Sequence, residues 1–145
     1  MADVKTTLKT VWNGNVKGSG SIKATYLDTT LAVPVNLGGT GEGSEPKEML
    51  IASATTCFTM TLTGMLQMKK LPVDQILVDT ESTNSKEDGF KINHSCKIVL
   101  SADATEEQVQ AATAMIALAD KNCAVGNMLR KADVQIKATG EVTVA

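Results

Sequence analysis

Three cysteines, Cys57, Cys96 and Cys123, and one histidine, His94, are the side chains of this 145-residue chain best suited to nucleophilic, redox or soft-metal chemistry. Their spacing narrows the choice. No C-x-x-C or H-x-x-x-H pair is present, so no metal site is expected. A cysteine nucleophile with a histidine base would require the fold to bring His94, the one imidazole, to Cys57 or Cys123. Cys96 alternates with His94, Ile98 and Leu100 on one strand face, which fits core filling. Cys57 lies eleven residues past Pro46, about three helical turns in. A helix dipole fades within the first turn, so any activation of this thiol must come from elsewhere. By pattern alone Cys57 reads as a small buried hydrophobe, with a reactive thiol as the alternative. Cys123 is placed differently: with Asn122 as cap it sits in the first turn of a short helix, where unpaired N–H groups favour a thiolate, with a packed residue near a helix start as the alternative.

The element that must carry Cys57 opens at Pro46. Ser44 or Glu45 can cap it, Pro46 suits its first turn, and Glu48 sits where the dipole favours a carboxylate. Leu50, Ala54, Cys57, Phe58, Thr61, Leu62 and Met65 follow at three- and four-residue spacing, Lys69 and Lys70 complement the far end, and Pro72 stops the helix. Met49, Ile51, Ala52, Met60 and Leu66 fall off that stripe. The helix is therefore apolar around most of its circumference, and is expected to be central and covered by sheet or by a second subunit.

Around it the chain reads as strands and shorter helices. Val4 to Trp12 alternates and runs into Asn13-Gly14, a strong hairpin signal. Ser21–Leu27 and Thr30–Val35 continue the β pattern, with a turn expected at Asp28-Thr29 and a strand end at Pro34. Residues 37 to 45 hold four glycines in six positions. They match neither the P-loop nor the dinucleotide spacing, which leaves a flexible connector or a loop shaping a ligand pocket. Ile76–Glu81 and Ile92–Ser101 suggest two strands joined by a polar loop at 84–89. Thr105-Glu106-Glu107-Gln108 is a capping box, Asn122 restarts the chain as a short helix, and Val134 begins a closing strand. The order β-β-β-α-β-β-α-α-β is α+β, a single domain over residues 1–145.

Composition excludes several roles. Hydrophobic residues are 43% and charged residues 21%, a globular balance rather than a disordered one. Fourteen basic against sixteen acidic residues give a net charge of -2, and Arg130 is the only arginine, so a nucleic-acid partner is not expected. The four aromatics, Trp12, Tyr26, Phe58 and Phe90, form no stacking platform. The apolar runs are short and broken and the start of the chain, Met1 to Lys9, has no apolar core, so neither a membrane span nor a signal peptide is expected. Three cysteines at wide spacing fit a reducing, cytoplasmic setting.

Two stretches carry a resemblance. LGGTGEGSEPKEMLIASATTCF, from Leu37 to Phe58, and NCAVGNML, from Asn122 to Leu129, resemble the OsmC/Ohr family of organic hydroperoxide reductases, and the likeness extends over nearly the whole chain. It implies antiparallel sheets packed on a long central helix in an intertwined homodimer with active sites at the subunit interface. It also implies that Cys57 is the peroxidatic thiol, that Cys123 resolves it, and that Glu48 supplies a carboxylate. The substrate would be an organic hydroperoxide and the reductant a dithiol, lipoyl-type in the family; no cofactor is implied. Apolar side chains such as Met49, Phe58, Met60 and Met128 would suit an alkyl peroxide.

Three positions differ from the family pattern. Lysines such as Lys17 and Lys23 stand in the N-terminal hairpin region where relatives of Ohr carry an arginine. Lys47 follows the helix-opening proline, so that Glu48 comes one place later, nine residues before Cys57 and about 180° from it around a helix. From there Glu48 would more easily reach another subunit's site. Ala124 replaces the proline common after the second cysteine. The alternative to a peroxidase is a non-catalytic small-molecule-binding or stress-associated member of the same fold.

Overall fold

The structure, a computed structural model, describes residues 3–145; Met1 and Ala2, part of the stretch read for an apolar leader, lie outside the described residues. The chain divides into two compact units, Met1–Leu50 and Ile51–Ala145.

The first unit holds a three-stranded antiparallel sheet, β1 (Lys9–Asn13), β2 (Ser19–Lys23) and β3 (Asp28–Leu31), in that order. Strand β1 is shorter than the alternation from Val4 predicts, because its partner β2 supplies only the five positions from Ser19 to Lys23. Asn13-Gly14 does open a turn, but the loop runs on to Gly18, where Gly18 N–H donates to Asn15 O at 2.8 Å. The next turn falls at Ala24–Leu27, closed by Ala24 N–H to Leu27 O at 2.8 Å. Asp28 and Thr29, expected as that turn, instead pair with Lys23 and Ile22 in β3. The glycine-rich segment is less free than its composition suggests. Gly39 N–H donates to Pro34 O and Gly41 N–H to Val33 O, both at 3.0 Å, so the loop folds back on its own start.

Helix α1 (Pro46–Met68) begins as the sequence predicts. Glu48 N–H donates to Glu45 Oε1 at 2.7 Å, and Ser44 Oγ donates to Glu48 Oε1 at 2.8 Å. Its far end turns through Lys70, at φ 55°, ahead of Pro72. Ala54, Phe58, Leu62 and Leu66, at four-residue steps, are the buried stripe, and each large member stabilises the fold by about 1.5–3 kcal/mol. Within the chain the rest of the apolar circumference is not covered: Met60 and Met68 are 68% and 83% exposed. By length and hydropathy alone α1 would pass for a bilayer span, but its buried stripe belongs to a folded core.

In the second unit β4 (Val73–Ser85) and β5 (Gly89–Leu100) form a long hairpin, extending well beyond the predicted strands. Helices α2 (Glu106–Asn122) and α3 (Ala124–Arg130) follow, then β6 (Gln135–Val144). The expectation of antiparallel sheets fails here, because β6 pairs with β5 in parallel, from Lys91↔Gln135 to Leu100↔Val144. Two helices lie between these strands, and a crossover of that length returns the chain to run in the same direction. On β5 Ile92, His94, Cys96, Ile98 and Leu100 are buried while Asn93, Ser95 and Lys97 are exposed, the two-residue period of a sheet covered on one side. Phe58, Leu62 and Leu66 of α1 meet Cys96, Ile98 and Leu100 of β5 and Ala112, Ile116 and Ala119 of α2 in one core. The α2 capping box is present: Gln108 N–H donates to Thr105 Oγ1 at 3.2 Å and Thr105 N–H to Gln108 Oε1 at 2.9 Å.

Candidate active site

The three cysteines are free thiols. Cys57 lies on α1, partly exposed, and Cys123 is the single residue between α2 and α3. Asn122, expected to cap α3, is the last residue of α2. Cys123 itself is the cap, its Sγ accepting from Gly126 N–H at 3.4 Å. Gly126 permits this because a Cβ there would already lie 3.3 Å from that sulfur.

The fold brings the two thiols close enough to act on each other across 66 positions of sequence and gives them opposite character. Partial burial pushes the Cys57 thiol up. Hydrogen bonding from the Val125 backbone first, then from the Cys123 thiol and the Ala124 backbone, outweighs it and leaves Cys57 below the ordinary thiol value, while the Thr61 hydroxyl donates to the Cys57 carbonyl at 2.8 Å. Cys123 is pushed up to about 11, by burial first, and then by the Cys57 sulfur and the Asp120 carboxylate, against the Gly126 N–H. Of the two readings of Cys123, a thiol activated by the start of the short helix or a packed residue there, burial favours the second. The first N–H groups of α3 act on Cys57, and only Gly126 serves Cys123. The pair sets a more acidic thiol against a less acidic one.

His94 is not part of this pair. It is buried in the core, its ring stacked on Phe58 with centroids 5.0 Å apart. Thr55 Oγ1 donates to Ile51 O at 2.8 Å, so at 2.6 Å it can only accept from Thr80. Thr80, its proton spent, accepts at 2.9 Å from His94 Nδ1, which must carry the hydrogen. Burial lowers the His94 pKa, opposed by Asp120 and reinforced by Arg130, so the ring is neutral and Nδ1 cannot act as a base. Cys96, on the same strand face, is pushed up to about 11 by burial alone.

The other expected residues fall elsewhere. Glu48 is held in the first turn of α1 by Ser44, a local capping arrangement in the first unit. Phe58 is fully buried core and not a pocket wall, whereas Met60 and Met128 are 68% and 66% exposed. The sequence reading missed Thr61, Val125, Asp120 and Arg130. Thr61 had a signal, since a hydroxyl four residues after Cys57 on a helix shares its face. Arg130 bonds Asp120 Oδ1 at 2.8 Å, Asn127 Oδ1 at 2.9 Å, Ile136 O at 3.0 Å and Asp120 O at 3.2 Å.

Comparison with known proteins bears on the family and the fold. Residues 39–139 match the family model described as OsmC-like protein. The uncharacterized protein YmaD of Bacillus subtilis (strain 168) is 31% identical over 150 residues, covering 97% of this chain and all of that protein. The crystal structure of an OsmC-like protein from Mycoplasma pneumoniae superposes with a TM-score of 0.74 at 19% identity, covering 98% of this chain and 99% of that one. An organic hydroperoxide resistance protein OsmC from Legionella pneumophila gives 0.67 at 23% identity, covering 97% and 99%. A family model matched across most of the sequence, an α+β fold shared end to end with these structures, and a relative of nearly equal length establish that the chain belongs to the OsmC/Ohr family.

Proposed function

We propose that this protein is a thiol-dependent peroxidase that reduces organic hydroperoxides to alcohols. The observation that carries the reading is a Cys57 thiol held, against the effect of its partial burial, below the ordinary value by the backbones of Val125 and Ala124 at the start of α3 and by a less acidic Cys123 thiol. The Cys57 thiolate attacks the terminal peroxide oxygen, the O–O bond breaks, and the alkoxide takes up a proton and leaves as alcohol. Cys57 is now a sulfenic acid. The Cys123 sulfur displaces its hydroxyl, the Cys123 proton leaves with it as water, and a disulfide forms. A dithiol, lipoyl-type in this reading, then returns both cysteines to thiols by exchange and is itself oxidised.

Assembly belongs to the same proposal. A single domain of this size working as a homodimer would cover the apolar side chains that α1 leaves exposed, Met60 and Met68 among them. Glu48 would then act at the site of the other subunit. Light scattering at low micromolar concentration should give the mass of a dimer, and a monomer would remove the assembly. The setting proposed is a reducing cytoplasm, where free thiols persist.

Consumption of an alkyl hydroperoxide with a dithiol reductant tests the activity, and should be faster than consumption of hydrogen peroxide. The lysines of the β1–β2 hairpin region, at positions where the family resemblance implies an arginine, favour the second reading, a non-catalytic binding or stress-associated protein. No turnover with intact thiols after excess peroxide would establish it.

A further inference from the structure

Helix α3 has seven residues, too few to hold its own geometry in water. Yet its Ala124 and Val125 backbones act on the Cys57 sulfur and its Gly126 N–H on Cys123. The strongest polar anchor of α3 is at its other end. Arg130 Nη1 donates to Asn127 Oδ1 and Asp120 O, and Nη2 to Asp120 Oδ1 and Ile136 O, all between 2.8 and 3.2 Å. These partners lie on α3 itself, in the last turn of α2 and on β6. The Arg130 and Asp120 side chains are only 31% and 18% exposed, so solvent competes weakly for the clamp.

We propose that Arg130 is a positioning residue for the Cys57 thiolate: by tying α2, α3 and β6 together it holds the Ala124 and Val125 backbones against the Cys57 sulfur. The planar guanidinium is what allows one side chain to satisfy four acceptors in two directions. A lysine keeps the charge and one partner but cannot bridge all three elements. Arg130 also neutralises Asp120, whose carboxylate bears on Cys123 and His94. The charged and titratable groups that act on the pair are thus Asp120, held by Arg130, and each thiol on the other. Removing Arg130 would both loosen α3 and leave an unpaired anion near the thiols, and each effect disfavours the Cys57 thiolate.

The inference rests on Cys57 being the reactive thiol, though not on a peroxide being its substrate, so the test uses alkylation. Reduced wild-type, Arg130→Ala, Arg130→Lys and Asp120→Asn proteins are treated with iodoacetamide across pH, and the Cys57 peptide is quantified by mass spectrometry. In the wild type Cys57 should react at lower pH than Cys123; the reverse order removes the nucleophile assignment itself. In both Arg130 variants the Cys57 midpoint should rise by about one pH unit, a roughly tenfold loss of thiolate below it, with an unchanged rate at high pH. Asp120→Asn, which keeps an acceptor and loses the anion, should not raise it. Circular dichroism identifies folded variants. If Arg130→Ala does not fold, Arg130→Lys decides. A folded Arg130 variant with the wild-type midpoint, or an equal rise in Asp120→Asn, overturns the proposal.

Discussion

The middle of α1 holds a half-buried thiol, Cys57, and the inner face of β5 a buried one, Cys96, and the two behave in opposite ways. Cys96 meets only side chains and strand backbone already committed to the sheet, and burial pushes it up to about 11. Cys57 also feels burial, but hydrogen bonding from the Val125 backbone, the Cys123 thiol and the Ala124 backbone reverses the balance. Apolar surroundings by themselves make a cysteine inert, and donors with nothing else to bond make it a nucleophile. Cys123 lies between these cases, with one backbone donor at 3.4 Å against burial and a neighbouring sulfur.

The hardest test of this contrast is substitution of each thiol. Cys57→Ser should lower alkyl hydroperoxide turnover by at least about 1,000-fold, while Cys96→Ser should keep it within about threefold, because that site provides no donors to activate a sulfur. Equal loss in two folded variants would erase the distinction. Cys123→Ser should permit a single turnover and strand Cys57 as sulfenic or sulfinic acid. Peptide mapping of the wild type after stoichiometric peroxide should find Cys57 bridged to Cys123 with Cys96 free, and a Cys57–Cys96 bridge would transfer the resolving role.

A smaller effect lies in stability against pH. The folded Cys96 pKa is raised, so its contribution is whole below the unfolded value near 9.0 and is lost as pH rises towards about 11, on the order of 2 kcal/mol. Cys57 has the opposite sign: its depressed pKa gives a contribution present above the unfolded value and lost as pH falls through the folded one. Urea midpoints at about pH 8 and about pH 11 should therefore drift apart less in Cys96→Ala than in the wild type. An identical drift would show that ionisation of Cys96 is not what the fold resists. The smallest effect concerns Thr61, whose hydroxyl serves the Cys57 carbonyl and reaches the sulfur only by turning away from it. Thr61→Val should slow Cys57 alkylation near neutral pH by about threefold, and Thr61→Ser should restore it. No change would mean that the hydroxyl stays committed to the Cys57 carbonyl, to which it donates at 2.8 Å.

Much of the scaffold was legible because its signals are local. Pro46 with Glu45 and Glu48 specified the start of α1, and Thr105 with Gln108 that of α2, since caps depend on residues three or four apart. The buried face of β5 followed from its two-residue period. What failed was long-range or a choice among near-equal local options. Nothing around Gln135–Val144 encodes the direction in which that strand docks on β5. Asp28-Thr29 carries a turn signal as good as the segment that actually turns. In the candidate site, Cys57 and Cys123 were singled out by resemblance, while their pattern left two readings open for each. The donors to Cys57 come from backbone 67 and 68 positions away, at Ala124 and Val125, where ordinary residue types give no sign of what their N–H groups will meet.

The parallel pairing of β5 with β6 also sets an order of events in time. The β4–β5 hairpin closes over a short turn, whereas Lys91 must find Gln135 across α2 and α3, a loop closure that folding chains make late. Only after it does Ile136 O meet the Arg130 guanidinium. Before that step the Cys57 sulfur lacks its backbone donors and has the slow chemistry of an unfolded thiol. Rapid alkylation of Cys57 should thus appear in a refolding experiment with the slowest structural phase, after hairpin formation. A chain caught half-folded would be chemically quiet, its reactivity withheld until the crossover has closed.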